Sequence, residues 1–212
     1  TMDGAFKHTG QKCTATSRVY VQEGVYDQFK EMLLEKMKDI KIGPGQEPET
    51  YMGPLASKTQ HDTVLDYIAK GKKEGAKLLV GGKVPEGKEF ENGYYVEATV
   101  FEDVSEEISI GCEEIFGPVI ALSMIKNLDE GLERSNNVNY GLSASVFTTN
   151  LKSAHQFVNN IEAGLIKVNG ESAGVELQAP FGGMKESSSH SREQGKAAIE
   201  FFTEIKTITM TV

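Results

Sequence analysis

Short apolar segments rich in β-branched residues alternate with segments of helical periodicity along most of this chain, and this alternation is what most limits its fold. Strands that alternate with helices of about ten residues or more are typical of βαβ units, in which parallel strands form a sheet covered on both faces. The sequence therefore predicts an α/β fold, a mainly parallel twisted sheet with helices on both faces. The predicted strands are 17–21, 77–80, 94–101, 119–125, 143–147 and 165–168, and the predicted helices are 25–40, one that begins after Ser57, 128–136, 151–161 and 192–202.

The last residues of the chain show a different pattern. From residue 205 to 212, apolar side chains alternate with threonines, which is typical of a half-buried β-strand. We expect this strand to lie away from the main sheet. The apolar members are Ile208, Met210 and Val212, and the threonines are Thr207, Thr209 and Thr211.

Composition excludes several classes of protein. The 212 residues carry a net charge of −9, and the ten carboxylates and one lysine between Glu86 and Glu114 account for all of it, which argues against a nucleic-acid partner. No run approaches about 18 apolar residues, and the first residues do not form a signal peptide, so we expect a cytoplasmic protein without a membrane partner. Two cysteines and four scattered histidines offer no metal-ligand spacing, so no metal site is expected.

Cys13 is the first candidate for chemistry. It lies in a small, polar stretch just before the first predicted strand, where Gly10 permits a tight turn and the backbone N–H groups are able to donate to an oxyanion. Lys12 or Arg18 would favour the thiolate. From composition alone, a lone cysteine is more often a small buried hydrophobic residue, and Cys112 keeps that interpretation.

Three segments, in order along the chain, resemble the aldehyde dehydrogenase superfamily. Residues 10–15 (GQKCTA) resemble its nucleophile signature, residues 113–119 (EEIFGPV) its cofactor segment, and residues 180–185 (PFGGMK) a third family block. The resemblance extends over essentially the whole chain. The chain is therefore identified as a member of that superfamily.

The resemblance implies a catalytic role for Cys13 and a cofactor-binding role for Glu114 and Phe116. A thiolate at Cys13 would attack an aldehyde, the resulting thiohemiacetal would lose a hydride to NAD or NADP, and the thioester would be hydrolysed. Glu114 would hold the nicotinamide ribose, and Phe116 would pack beside the nicotinamide. His8 lies near Cys13, but a surface or packing role is favoured for it. Gln60 matches a glutamine near the ribose in the family, although an exposed helix residue is the favoured interpretation.

The resemblance also predicts how the chain is organised. In the family, the cofactor-binding domain, the oxyanion-hole asparagine and the general-base glutamate precede the nucleophile. We therefore expect a catalytic domain at residues 1–203, an oligomerisation strand at 204–212, and a cofactor-binding N-terminal domain that is absent from this chain. We expect the protein to form a homo-oligomer, either a dimer or a tetramer.

Residues 174–181 and 186–191 indicate a substrate class. These segments are similar to those of family members that oxidise ω-semialdehydes of dicarboxylic acids. The candidates are 2-oxoglutarate semialdehyde (2,5-dioxopentanoate) and succinate semialdehyde. Ser172 and Gln178 would donate hydrogen bonds to the distal carboxylate, and Gln11 and Phe181 are further candidate substrate contacts. The alternative is that these residues are loop surface.

Two other classes of function remain open at this point. The first is a folded fragment with a structural or oligomerisation role and no activity of its own. A thiol redox protein that uses Cys13 and Cys112 has no supporting motif.

Overall fold

The computed structural model describes all 212 residues, and it contains eight strands, seven α-helices and two short 3-10 helices. The strands are β1 (Arg18–Gln22), β2 (Lys77–Val80), β3 (Thr99–Glu102), β4 (Val119–Ile125), β5 (Tyr140–Gly141), β6 (Ser143–Val146), β7 (Leu165–Val168) and β8 (Met184–Lys185). The helices are α1 (Met2–Phe6), α2 (Glu23–Met37), α3 (Lys58–Lys73), α4 (Ser109–Cys112), α5 (Leu128–Asn136), α6 (Leu151–Asn160) and α7 (Ala197–Phe201).

The main sheet has four strands in the order β1-β4-β3-β2. β1 and β3 both pair with β4 in parallel, whereas β2 adds to β3 as an antiparallel edge. A separate parallel pair joins β6 to β7, and a short antiparallel pair joins β5 to β8. The predicted α/β class with mainly parallel pairing is confirmed, although the strands form three sheets rather than one.

Both faces of the main sheet are buried, as the predicted architecture requires. Along β4, Ile120 and Leu122 point into a core shared with α1 and α2, while Val119 and Ala121 point into a second core shared with α3 and α4. This is the alternation of side chains that a pleated strand imposes. α3 begins at the predicted cap, because the Ser57 hydroxyl accepts a hydrogen bond from the backbone N–H of Gln60.

Two predicted elements are shorter than expected. The predicted strand 94–101 begins only at Thr99, because the preceding backbone bonds to loops: the Tyr94 carbonyl accepts from Leu55, and the Glu97 N–H donates to Lys83. The predicted helix 192–202 is reduced to α7, because Gly195 takes a left-handed φ of 58°. The strand is shorter because of hydrogen bonds to residues far away in sequence, and the helix is shorter because of one glycine conformation.

The final segment forms no regular structure in the single chain. Residues 203–212 belong to no helix or strand, and their apolar side chains are exposed. The expected pairing of this strand with another chain stays a prediction.

None of the helices combines the length and the apolar composition needed to cross a bilayer.

One buried carboxylate joins three elements of the main domain. Glu102, at the end of β3, is only 4% exposed and accepts hydrogen bonds from the side chains of Tyr26 (2.9 Å), Lys30 (2.5 Å) and Lys77 (2.8 Å). Burial by itself would raise the pKa of Glu102, but these three donors outweigh it and lower the pKa to about 2.

We expect Glu102→Gln to lower the free energy of unfolding at pH 7 by roughly 2–3 kcal/mol, because charge-assisted hydrogen bonds to a buried group are lost. The ionised form of Glu102 is favoured by folding, so its contribution is complete above the ordinary pKa of 4.5 and is lost as the pH falls towards 2. Urea titrations of both proteins from pH 7 to pH 3 measure this difference. Glu49→Gln is the matched control, since the Glu49–Lys41 pair is exposed to solvent and should contribute little to the free energy of unfolding. An equal effect of both substitutions at pH 7 would contradict the argument.

Candidate active site

Cys13 occupies a tight turn between α1 and β1. The turn is closed by a hydrogen bond from the Ala15 N–H to the Lys12 carbonyl at 2.9 Å, so Cys13 and Thr14 are its two central residues. The side chain of Cys13 is exposed. The backbone N–H groups of Cys13 and Thr14 bond to no acceptor in the chain. The turn therefore presents a thiol beside two free backbone donors, which is the arrangement that stabilises an oxyanion.

The residues before this turn hold an unusual backbone conformation. His8, Thr9 and Gly10 all have left-handed φ values, of 57°, 59° and 68°, which is costly for a β-branched threonine. The loop that precedes α3 supports them. The Thr9 hydroxyl donates to the Gly53 carbonyl at 3.0 Å, and the Gln11 side chain accepts from the Ala56 N–H at 3.0 Å. Gln11 is therefore bound to the protein through its carbonyl oxygen, while its amide N–H₂ group donates to nothing in the chain.

Gly10 brings the nucleophile segment against the cofactor segment. A Cβ atom at Gly10 would lie 2.2 Å from the carbonyl oxygen of Gly117, so no other residue fits at this contact. The two motifs, about a hundred residues apart in sequence, are thus in direct backbone contact.

The segment 113–119 forms a turn on which the side chains of Glu114 and Phe116 are exposed. Phe116 has a left-handed φ of 55°, and its ring is about two-fifths exposed. Glu114 is exposed, and its carboxylate has no hydrogen-bond or ion-pair partner in the chain. Glu114 is thus free to accept hydrogen bonds from hydroxyl groups of a ligand, and the Phe116 ring is free to pack against one.

One face of α3 holds the whole segment from α4 to Gly117. The contacting positions are three and four residues apart, which places them on one stripe of the helix. The segment runs antiparallel to α3. We call this set of positions the α3 stripe: Gln60, Val64, Tyr67, Gly71 and Glu74, which directly follows the helix.

The first two positions of the α3 stripe support the Phe116 turn. The Gln60 amide donates to the carbonyls of Ile115 and Phe116, at 2.9 Å each. Val64 packs on Gly117 so closely that a Cβ there would lie 2.4 Å from the Val64 Cγ2 atom. The favoured interpretation of Gln60 as an exposed helix residue is therefore wrong: it is half-buried, and its N–H₂ group fixes the backbone beside Phe116.

The later positions of the α3 stripe support α4 and Glu113. The Tyr67 hydroxyl donates to the Glu113 carboxylate at 2.6 Å, and the Glu74 carboxylate accepts from the N–H and hydroxyl groups of Ser109, both at 2.8 Å. The hydrogen bond to Glu113, together with burial, raises the pKa of Tyr67 to about 12. Tyr67 therefore stays a donor at neutral pH. Sequence analysis missed these residues, and their spacing of three and four was the only signal that could have identified them.

Arg18 makes its hydrogen bonds to groups other than those of the Cys13 turn. Its guanidinium donates to the Tyr20 hydroxyl at 3.0 Å and to the carbonyls of Arg134 and Ser135 at 3.2 Å each, near the end of α5. That Lys12 or Arg18 favours the thiolate stays a prediction.

The predicted substrate contacts have different surroundings. Ser172 is buried beside the Cys13 turn, where its hydroxyl donates to the Thr14 carbonyl at 3.0 Å. Gln178 is exposed and its side chain makes no hydrogen bond, while Phe181 is half-buried. The structure thus brings Gln11 and Ser172 to the nucleophile turn. Gln178 and Phe181 make no hydrogen bond to that turn.

Cys112 has the environment of an unreactive thiol. It is half-buried at the end of α4, and its Sγ donates to the Ile108 carbonyl at 3.3 Å. Burial, and then the nearby carboxylates of Glu113 and Glu74, raise the pKa of Cys112. Little thiolate is expected there at neutral pH.

We expect iodoacetamide to alkylate Cys13 about tenfold faster than Cys112 in the folded chain, because thiolate fraction and access set the rate. Peptide mass spectrometry after timed labelling at pH 7 measures both sites in the same sample. Labelling in denaturant is the control, since it should make the two rates similar. Equal rates in the folded chain would remove the argument for an activated nucleophile.

Comparison with known proteins places this geometry in a family. The model of the aldehyde dehydrogenase family matches residues 1–208. Alpha-ketoglutaric semialdehyde dehydrogenase from Bacillus subtilis is 58% identical over 205 residues, which are 97% of this chain and 42% of that protein. The 2,5-dioxopentanoate dehydrogenase from Saccharolobus solfataricus is 45% identical over 206 residues, again 97% of this chain and 42% of that protein.

Solved structures give the same result. HpcC from Thermus thermophilus has a TM-score of 0.92 at 38% identity, over 98% of this chain and 40% of that chain. Betaine aldehyde dehydrogenase from Staphylococcus aureus, in a complex with NAD+, has a TM-score of 0.91 at 33% identity, over 95% of this chain and 40% of that chain. The chain spans about two-fifths of the length of these relatives. From its fold, its Cys13 turn and these matches, the chain belongs to the aldehyde dehydrogenase family.

Proposed function

We propose that this chain carries the nucleophile of an enzyme that oxidises an aldehyde to a carboxylic acid with NAD+ or NADP+. The observation that carries the proposal is the contact between Gly10 and Gly117. It joins the Cys13 turn, with its two free N–H groups, to the turn that presents Glu114 and Phe116. A nucleophile, oxyanion donors and a cofactor-binding carboxylate are thereby held on one packed unit.

The chemistry assigned to this chain begins at the Cys13 sulfur. The thiolate adds to the aldehyde carbon, and the new oxyanion of the thiohemiacetal accepts hydrogen bonds from the free backbone N–H groups of the turn. The nicotinamide cofactor, when bound, supplies the acceptor for the hydride that leaves this carbon. The resulting thioester is hydrolysed by water, which releases the carboxylic acid and frees the Cys13 thiol.

The residues present fit the ribose and nicotinamide parts of that cofactor. The unpartnered carboxylate of Glu114 offers two acceptor oxygens to a pair of ribose hydroxyls, and the exposed ring of Phe116 offers an apolar surface. Their role is to position the cofactor rather than to transfer a proton.

For the substrate, we propose an ω-semialdehyde of a dicarboxylic acid, with 2-oxoglutarate semialdehyde ahead of succinate semialdehyde. Two relatives at 58% and 45% identity carry names for oxidation of that compound. Gln11, through its free amide N–H₂ group, and Gln178 are candidate donors to the substrate, and Phe181 is a candidate apolar contact.

We further propose that the chain functions as the catalytic part of a longer protein that supplies the cofactor-binding domain, the oxyanion-hole asparagine and the general base. The chain spans about 42% of the length of its relatives. With only Glu114 and Phe116 as cofactor contacts, the chain alone should bind NAD weakly and oxidise no aldehyde. The alternative is a fragment with a structural or oligomerisation role. Aldehyde-dependent NADH formation by the longer protein decides between them.

In the longer enzyme, Cys13→Ser should lower kcat for 2-oxoglutarate semialdehyde by about a thousandfold or more, since the alkoxide nucleophile is far less accessible than a thiolate. Glu114→Gln should raise KM for the cofactor by about tenfold, because one charge-assisted acceptor is weakened. NADH formation measures both effects. Cys112→Ser is the matched control and should leave both constants near those of the parent. Retained activity in Cys13→Ser would overturn the proposed role of the nucleophile.

We also propose that residues 204–212 pair with a strand of another protomer. Their unpaired backbone groups and exposed apolar side chains favour strand addition. Sedimentation of the 212-residue chain at several concentrations should show self-association that a chain ending at Glu204 lacks. Monomers in both samples would contradict this pairing.

A further inference from the structure

A loop far away in sequence reaches the back of the Cys13 turn. Ser172, which is 8% exposed, places its hydroxyl 3.0 Å from the Thr14 carbonyl and 2.8 Å from the Thr16 hydroxyl. A serine hydroxyl has one proton, and a carbonyl only accepts. Ser172 therefore donates to Thr14, and Thr16 donates to Ser172. The three residues form one directed chain of hydrogen bonds that ends on the nucleophile turn.

This chain of hydrogen bonds fixes one particular peptide group. The Thr14 carbonyl accepts from Ser172, and the N–H of the same peptide group, that of Ala15, donates to the Lys12 carbonyl at 2.9 Å. Because a peptide group is planar, two opposed hydrogen bonds hold its orientation. The neighbouring N–H groups of Cys13 and Thr14 are those that stay free.

The Thr16 end of this chain of hydrogen bonds is anchored in the protein interior. The Thr16 N–H donates to the Gly4 carbonyl in α1 at 3.1 Å. Gly4 lies so close that a Cβ there would be 2.7 Å from the Thr16 hydroxyl oxygen. Thr14 itself is 5% exposed. Water therefore has little access to replace the hydroxyl of Ser172 if it is removed.

We propose that Ser172 is a positioning residue for the nucleophile, and that it does not bind the substrate. Its hydroxyl holds the Thr14 peptide so that the free N–H groups of Cys13 and Thr14 stay aimed to one side of the turn, where they stabilise negative charge on sulfur or on an oxyanion. This assignment rests on the proposed function only in taking Cys13 as the nucleophile. It replaces the predicted contact between Ser172 and a distal carboxylate, because the single proton of Ser172 is already donated to Thr14.

The first test measures alkylation of Cys13 by iodoacetamide in the full 212-residue chain at pH 7, with Cys112 as the internal reference. Ser172→Ala should lower the alkylation rate of Cys13 by about fivefold, the factor expected for one lost hydrogen bond, and leave the alkylation rate of Cys112 unchanged. Ser172→Thr keeps the hydroxyl and should stay within about twofold of the parent. Thr16→Val, which keeps the donation to Thr14, should have an intermediate effect.

An unchanged rate at Cys13 in Ser172→Ala would overturn the proposal. So would faster labelling of both cysteines together, since that indicates general loosening of the fold rather than loss of a positioned turn. Thermal unfolding of each variant, followed by circular dichroism, identifies such loosening.

The second test uses steady-state kinetics of the longer enzyme. A positioning role predicts that Ser172→Ala lowers kcat about fivefold with little change in KM for the aldehyde, and that Ser172→Thr restores kcat. A raised KM with unchanged kcat would assign Ser172 to the substrate and overturn the proposal. The alkylation test needs neither aldehyde nor cofactor, so failure of the proposed function and failure of this assignment are distinguishable.

Discussion

The contact between the Gly10 backbone and the Gly117 carbonyl is the constraint on which the site depends. It requires a residue without a Cβ atom at position 10 and a left-handed backbone there, and the same conformation extends back through Thr9. Such a backbone is costly, so it persists only where surrounding contacts determine it. The hydrogen bonds of Thr9 and Gln11 to the loop before α3 supply those contacts. The Cys13 turn is thus held by the loop that leads into α3 on one side and by the Ser172 hydroxyl on the other.

The α3 stripe gives the Phe116 turn the same kind of support. Gln60 and Tyr67 hold its two ends through the Phe116 backbone and the Glu113 carboxylate, and Val64 packs on Gly117 between them. One helix and the loop before it therefore order both motifs. The loop and the helix thereby fix residues 13 and 114 relative to each other, although α3 itself contributes no group that is proposed to react.

The sequence predicts the elements of this fold better than it predicts their contacts. Regular periodicity and the Ser57 cap locate α3, and the alternation of apolar residues along β4 matches two buried faces. Those signals are local, so they depend only on neighbouring residues. The site roles predicted for Cys13, Glu114 and Phe116 rest on the resemblance of their motifs to a family.

The parts that sequence analysis missed depend on distant partners. The local pattern predicts an exposed Gln60, because its acceptors, the carbonyls of Ile115 and Phe116, lie about 55 residues away. The sequence predicts Ser172 as a substrate donor, because its acceptor, the Thr14 carbonyl, is 158 residues earlier in the chain. Periodicity shows that a helix has two faces, but it does not show which loop covers the polar one.

The α3 stripe also determines how α4 and the Phe116 turn gain and lose order. α4 has only four residues, and a helix of that length is not stable by itself. Its packing on Gly71 and its cap from Glu74 are both provided by the end of α3. Proteins open locally in cooperative units, and elements that share their contacts open together. We therefore expect α4 to open together with the last turns of α3, whereas the Phe116 turn is held by Gln60 and Val64 in the first two turns and opens with those. Local opening at either end of α3 thus loosens a different part of the segment from residue 109 to 117.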